Sequence, residues 1–172
     1  MRDKLRRRYQ VNKEVTRNGY FEGEVALAEL TRLDELLYGQ RGEQSGGVTV
    51  RFEFTRNEFG TMMLIGQLRA GLELQCQRCL KPLTVEIEQD IELMIDAGVE
   101  VVRGSSLDAI DSDEGYVDIF EVVEDELILA LPLVALHEDT ACNEHWPAAD
   151  AKDDAGEKDN PFAVLRQLKA TD

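Results

Sequence analysis

Three stretches in the middle of the chain alternate apolar and polar residues with a period of two. They cover residues 48–55, 62–75 and 83–95. A period of two is typical of a β-strand that buries one face. Because the connections between the stretches are short, we predict three consecutive antiparallel strands. The outer face of the third strand is acidic. A fourth, shorter strand is predicted at residues 20–25.

Two segments outside this meander have helical spacing. Leucines recur on one face of residues 28–37, which predicts a helix there. The second predicted helix follows Asp118, a suitable N-cap residue, with Glu121 three positions later as in a capping box. It ends before Pro132, which cannot continue a helix. This helix is apolar in its second half, so we expect it to pack on the sheet.

These elements predict an α+β fold, an antiparallel β meander with helices packed on it. Residues 1–17 lack a clear period and are predicted to be a flexible basic arm. A single α+β domain is predicted over 18–146, including an acidic loop at 104–117. Residues 147–172 are predicted to be a disordered acidic linker that ends in a short helix. The apolar stripe of that helix would dock on a partner or on the domain itself, through Pro161, Phe162, Leu165 and Leu168.

Charge is the strongest compositional signal, because the 172 residues carry a formal net charge of −16. Residues 1–19 hold seven Lys and Arg residues against two acidic ones, a local +5. An acidic body repels phosphates, so any RNA contact must be local, whereas a basic protein partner suits it. Solubility alone is the alternative explanation. No apolar run is long enough to cross a membrane, no secretory signal begins the chain, and three cysteines are too few for a disulfide scaffold. We therefore expect a reduced, cytoplasmic protein.

The cysteines have the spacing of metal ligands. Cys76 and Cys79 lie three positions apart at the tip of a predicted hairpin, and His137 precedes Cys142 by five. Three thiols and an imidazole are the donors of a structural zinc site, with His145 as a spare imidazole. A redox dithiol and thiols without a metal are the alternatives. Motifs for phosphate-binding loops or nucleophile elbows are lacking, which favours a protein without catalytic activity.

Three segments resemble one family. The sequences Leu-Gln-Cys-Gln-Arg-Cys-Leu-Lys-Pro at 74–82, Val-Glu-Asp-Glu-Leu-Ile-Leu-Ala-Leu-Pro-Leu at 123–133 and Asn-Pro-Phe-Ala-Val-Leu at 160–165 resemble the YceD family of large ribosomal RNA subunit accumulation proteins. This resemblance spans nearly the whole chain. It implies ribosome biogenesis, namely the synthesis, processing or stability of 23S ribosomal RNA, and no known catalytic activity. It also implies a large-subunit ribosomal protein as a partner.

Two functional hypotheses follow, with neither a membrane nor a small-molecule substrate. The first is a non-enzymatic assembly factor that contacts pre-ribosomal 23S RNA through basic residues of the arm and of the cysteine hairpin. Those residues are Arg2, Lys4, Arg6, Arg7, Arg8, Arg78 and Lys81. The second is an acidic adaptor or chaperone for a basic ribosomal protein or an RNA-processing enzyme. A processing nuclease is a third, weaker hypothesis.

Overall fold

The computed structural model describes residues 5–39, 46–96 and 108–142. The chain divides into two compact units, residues 1–137 and 138–172. The first unit contains the elements β1 (Arg8–Gln10), α1 (Val11–Thr16), β2 (Tyr20–Ala26), α2 (Thr31–Asp34), β3 (Gly47–Arg56), β4 (Met62–Gln75), β5 (Pro82–Asp96), β6 (Ala109–Asp111), β7 (Tyr116–Asp118) and α3 (Ile119–Ala130). The second unit is described only over Glu138–Cys142, which includes a 3₁₀ turn at Thr140–Cys142.

The main sheet has the strand order β2-β3-β4-β5-β6. Neighbouring strands are antiparallel from β2 to β5, and β6 pairs parallel to the last three residues of β5. The predicted meander is therefore confirmed, and the bounds of β4 match the prediction. Alternate residues of β3, such as Val50 and Phe52, face the core and are at most 2% exposed.

Gly66 in β4 lets two strands approach closely. A Cβ atom at this position would clash with the main-chain oxygen of Arg51 and lie 2.8 Å from the Cβ atom of Phe52. Any larger residue would push β3 away from β4, so glycine is required for this local geometry. Phe52, which lies opposite Gly66 in the register, belongs to a buried aromatic cluster with ring centroids 4.3–6.1 Å apart, formed by Tyr9, Phe21, Phe52 and Phe54.

Helix α3 begins as its sequence predicts. The Asp118 carboxylate accepts hydrogen bonds from the backbone N–H groups of Phe120 and Glu121 at 3.0 and 3.3 Å. Its buried face, which includes Val123 and Leu127, packs on the sheet next to β5. Among the described helices, none combines the length and apolar composition needed to cross a lipid bilayer.

The predicted helix at 28–37 is wrong in extent. The chain forms a 3₁₀ turn at Leu27–Glu29 and then the four-residue helix α2. Leu30 separates the two, with φ of −104° and ψ of 77°, and is completely buried. Leu30 and Leu33 enter the core from this region, whereas Leu36 is 51% exposed, so the leucine spacing does not mark one face of a continuous helix.

The described part of the predicted flexible arm is structured, so that expectation is wrong for residues 5–17. Strand β1 pairs antiparallel with β7, and α1 follows it directly. Tyr9, Val11 and Val15 are at most 4% exposed. Three apolar side chains at these spacings bury enough surface to hold a short segment in place.

The predicted acidic loop at 104–117 is also wrong where the structure describes it, because β6 and most of β7 fall within it. Residues 1–4, 40–45, 97–107 and 143–172 lie outside the described residues. They include Arg2, Lys4, His145 and the predicted docking helix with Pro161, Phe162, Leu165 and Leu168, which stay predictions.

Candidate metal centre

The connection between β4 and β5 is a tight turn that begins at Cys76. The backbone N–H of Cys76 donates to the Lys81 oxygen at 3.0 Å, and the N–H of Leu80 donates to the Cys76 oxygen at 2.9 Å. Leu80 adopts φ of 61°, in the left-handed region that a leucine rarely occupies. The turn therefore holds a strained residue, and its hydrogen bonds fix the positions of Cys76 and Cys79.

The segment after α3 runs against this turn. The backbone N–H of Gln77 donates to the Ala135 oxygen at 2.9 Å, and the Gln77 side-chain amide donates to the Leu133 oxygen at 3.4 Å. Ala135 is 5% exposed. These contacts bring His137, which follows two residues later, to the cysteine turn.

Three of the four ligands predicted from the sequence form one group within the first unit. The Sγ atoms of Cys76 and Cys79 and a ring nitrogen of His137 all lie within 4.8 Å of one another, and Cys142, in the second unit, stays the predicted fourth ligand. The Cys79 Sγ atom is 3.3 Å from His137 Nδ1. Thiolates bound tetrahedrally at about 2.3 Å from zinc are about 3.8 Å apart, so the grouping is compatible with one ion.

The orientation of His137 fits a metal ligand. Its Nε2 atom lies 3.0 Å from the main-chain oxygen of Pro82. A carbonyl oxygen only accepts hydrogen bonds, so Nε2 carries the proton and donates. Nδ1 then presents its lone pair to the cysteine cluster. A hydrogen bond from the second ring nitrogen to a carbonyl is the arrangement that usually orients a metal-binding histidine.

The environment of Cys76 favours the thiolate. Burial alone raises the pKa of this fully buried thiol, but backbone N–H groups of Cys79, His137 and Arg78 stabilise the charged form. The net result lowers the pKa of Cys76 from 9.0 to about 5. All three cysteines are thiols with no disulfide among them. The thiolate is the form that binds metal, so the turn is preorganised for an ion.

The arginines of the N-terminal segment are engaged within the fold. Arg6, Arg7 and Arg8 each lie beside a carboxylate and over an aromatic ring. The ion pairs are Arg6 with Glu14 at 3.9 Å, Arg7 with Asp118 at 2.8 Å and Arg8 with Asp113 at 2.9 Å. The rings, in the same order, belong to Tyr9, Phe120 and Tyr116, at 5.2–5.6 Å. Arg78 and Lys81 lie in the cysteine turn itself, with Lys81 exposed.

A polar cleft of about 490 Å³ lies between Arg7, α2 and α3, and no sequence pattern pointed to it. The Glu124 carboxylate accepts from the backbone N–H of Arg32 at 2.6 Å, from its Nε at 2.8 Å, and from the N–H of Leu33 at 3.2 Å. Burial raises the pKa of Glu124, but these donors outweigh burial and lower it overall. Because Glu124 already has three donors, we interpret this part of the cleft as a structural contact.

Comparisons with known proteins point to one family. The model for "Large ribosomal RNA subunit accumulation protein YceD" matches residues 64–169. A curated protein of the same description from Haemophilus influenzae is 29% identical over 163 residues, which cover 91% of each chain. No solved structure matches this chain significantly. The matched region runs from β4 through the cysteine turn, α3 and all four candidate ligands.

Proposed function

This chain belongs to the YceD family of large ribosomal RNA subunit accumulation proteins, and we propose that it promotes the accumulation of 23S ribosomal RNA by binding components of the immature large subunit in the cytoplasm, without catalysing a reaction. The observation that carries this proposal is the family match over 64–169. That region contains the grouped Cys76, Cys79 and His137 and also Cys142, the predicted fourth ligand.

The cellular test compares rRNA levels with and without the protein. In cells depleted of this chain, the ratio of 23S to 16S rRNA should fall and should recover when the full chain is expressed again. A ratio that does not change on depletion would overturn the proposed role. Purified protein should leave pre-23S RNA intact with Mg²⁺ or Zn²⁺ present. Cleavage would replace the binding role with the nuclease hypothesis.

The proposed cofactor is one structural zinc ion, held by Cys76, Cys79, His137 and Cys142. A bound zinc ion would cross-link the chain, because it would tie the β4–β5 turn to the segment that follows α3. With four protein donors the site has no open position, as expected of a structural rather than a catalytic centre.

Elemental analysis tests the zinc proposal directly. We expect about one zinc per purified chain and almost none in Cys76→Ser, with a matching loss of thermal stability after chelation of the wild type. Thr49→Ser, at an exposed position of β3, serves as the control that alters no candidate ligand. Zinc well below one per chain in the wild type, under conditions that retain weakly bound metal, would reject the site.

The proposed RNA contact is centred on the cysteine turn. Arg78 and the exposed Lys81 lie in a turn that an ion would make rigid, and Arg6, Arg7 and Arg8 are about half exposed beside carboxylates of the fold. Arg2 and Lys4 remain candidates by sequence. Phosphate contacts are salt-dependent, since each one releases counterions from the nucleic acid.

A gel-shift titration with a 23S rRNA fragment measures how much the basic residues of the cysteine turn contribute to binding. The double variant Arg78→Ala, Lys81→Ala should bind the RNA more weakly. The slope of its affinity against salt concentration should fall by the equivalent of about two phosphate contacts. The control is Lys13→Ala, Arg56→Ala, which removes the same charge at exposed positions away from the turn. Equal loss in both double variants would mean that net charge alone determines binding.

A second candidate function is an adaptor for a basic protein. The favouring observation is the outer face of the sheet, where β5 exposes Glu86, Glu88, Asp90 and Glu92. Affinity capture from nuclease-treated lysate tests it, because a protein partner is retained after RNA is destroyed. Loss of every ribosomal component on nuclease treatment would rule against the adaptor.

A further inference from the structure

The outer edge of β5 is largely unpaired in the described part of the chain. Strand β5 has 15 residues, and β6 pairs with only the last three of them, Met94–Asp96. At the other end, His137 Nε2 donates to the Pro82 oxygen. Between Leu83 and Leu93, no described strand lies on the side away from β4.

An open strand edge of this length presents main-chain donors and acceptors to solvent and is a template for another strand. Soluble proteins usually protect such edges with charged side chains, above all lysine, or with proline, a bulge or a very short strand. After Pro82 at its start, β5 has neither lysine nor proline over this stretch, and its charges are all carboxylates, which repel another acidic strand and attract a basic one. The row of half-buried residues along its inner face, Leu83 and Val85, also lacks a neighbouring described strand on the open side.

The exposed side chains of the edge strand define what could pair with it. Glu86, Glu88, Asp90 and Glu92 form a row of carboxylates on the outer face. Arg69 in β4 pairs with Glu88 at 2.7 Å, and the Gln67 amide donates to Glu88 and Asp90 at 3.1 Å. The row thus remains strongly negative.

This charge excludes a second copy of the chain as the occupant. If two copies paired through β5, the carboxylates of both would become cross-strand neighbours, and like charges at that spacing are destabilising. A strand with Lys or Arg at every second position would place each cation beside a carboxylate. Its remaining residues, if apolar, would continue the row of Leu83 and Val85.

We infer that the Leu83–Leu93 edge of β5 binds an extended segment of a partner protein, with alternating basic and apolar residues, by adding it as a strand to the sheet. Main-chain hydrogen bonds supply the affinity and the carboxylate row supplies the selectivity. The inference needs only the sheet of the first unit. It concerns a partner and does not rest on the zinc centre or on the rRNA phenotype.

The first test uses the full chain and a synthetic peptide of alternating Lys and Val, long enough to span Leu83–Leu93. Hydrogen exchange of the complex should show new protection at alternate amides of β5. A peptide of the same sequence, in which the backbone nitrogens that face β5 are methylated, cannot donate these hydrogen bonds. It should bind roughly tenfold more weakly or not at all. Equal binding of the methylated peptide, or protection elsewhere, would overturn strand addition.

A charge-matched pair of variants tests the selectivity. Glu86→Lys with Glu92→Lys changes the edge strand, and Glu53→Lys with Glu58→Lys makes the same charge change at exposed positions of β3 and its turn. The first pair should weaken the Lys/Val peptide by roughly tenfold more than the second. If both weaken it equally, the peptide recognises overall charge and the inference fails. Failure here leaves the 23S rRNA test unaffected, so the two proposals can fail separately.

Discussion

Cys76 shows how one residue couples folding to pH. Its pKa falls to about 5 in the folded chain because backbone N–H groups stabilise the buried thiolate. An unfolded cysteine has the ordinary, higher pKa, so the unfolded state binds more protons between the two values. The stabilisation is therefore fully present above the unfolded pKa and is lost as pH falls through about 5.

We accordingly predict that the metal-free protein gains stability as pH rises from about 5 towards 9. Urea unfolding of chelated wild type at several pH values measures this, with Cys76→Ser as the control that lacks the thiol. If the two proteins respond to pH identically across this window, the thiolate is not stabilised in the folded state.

Leu80 is strained by the turn that positions the cysteines. Its φ of 61° is unfavourable for any residue with a Cβ atom, and its side chain is 63% exposed. Leu80→Gly should therefore raise the free energy of unfolding by about 1 kcal/mol. Chemical denaturation measures the difference. A loss of stability would show that the exposed leucine makes a contact that outweighs the strain.

At the residue scale, two short spacings in the sequence singled out four candidate ligands. The structure places three of them, Cys76, Cys79 and His137, close together in the first unit, while metal binding and the participation of Cys142 stay predictions. The bond from His137 to Pro82 could not be predicted. It depends on how a segment from after α3 meets the turn, and no local pattern encodes that meeting.

Elements of this fold are joined by contacts between residues distant in sequence, and Glu124 is the clearest example. Its carboxylate on α3 accepts bonds from the start of α2 while 6% exposed. Glu124→Gln should lower the free energy of unfolding by about 1–3 kcal/mol, because a charged acceptor is lost from a buried position. Thermal and urea denaturation report the change.

The stability of Glu124→Gln should also differ from that of the wild type in its dependence on pH. The pKa of Glu124 is lowered in the folded state, so its contribution is lost as pH falls through that lowered value. The stability gap between wild type and Glu124→Gln should therefore narrow in acid. If the difference in unfolding free energy does not change with pH, the substitution acts through packing. Asp34→Asn in α2 is the control for removal of a nearby charge.

The β1–α1 segment is a structural element rather than a separable arm. Tyr9 is 1% exposed within the aromatic cluster, and its hydroxyl accepts from the backbone N–H of Arg6 at 2.8 Å. Tyr9→Ala should cost about 3–5 kcal/mol, as is usual for large aromatic residues in a core. Tyr20→Ala, at an exposed position of β2, is the control. A small effect at Tyr9 would support the flexible arm predicted from the sequence.

Strands were easier to predict than short helices for a physical reason. The two-residue period of β3, β4 and β5 persists over long stretches, and each strand buries one face. The segments at 8–16 and 27–34 form elements of only three to six residues, whose apolar side chains are fixed by distant partners. A short run contains too few repeats for a period to be recognised.

At the scale of the whole molecule, charge and family membership have to be reconciled. A net charge of −16 opposes extensive contact with RNA, yet the family is described by accumulation of large-subunit RNA. The proposed basic contact at the cysteine turn and the proposed binding of a basic protein segment at the acidic edge of β5 would satisfy both. The overall charge and the acidic outer face of β5 were evident from the sequence, whereas the open edge of β5 among the described strands required the strand order of the sheet.

The most direct test of the proposed function is sedimentation of ribosomal particles from cells that express tagged full-length chain at its natural level. We predict that the chain co-sediments with immature large-subunit particles and is absent from mature 50S subunits and from 30S fractions. Recovery only at the top of the gradient, after mild crosslinking as well as without it, would contradict the proposal.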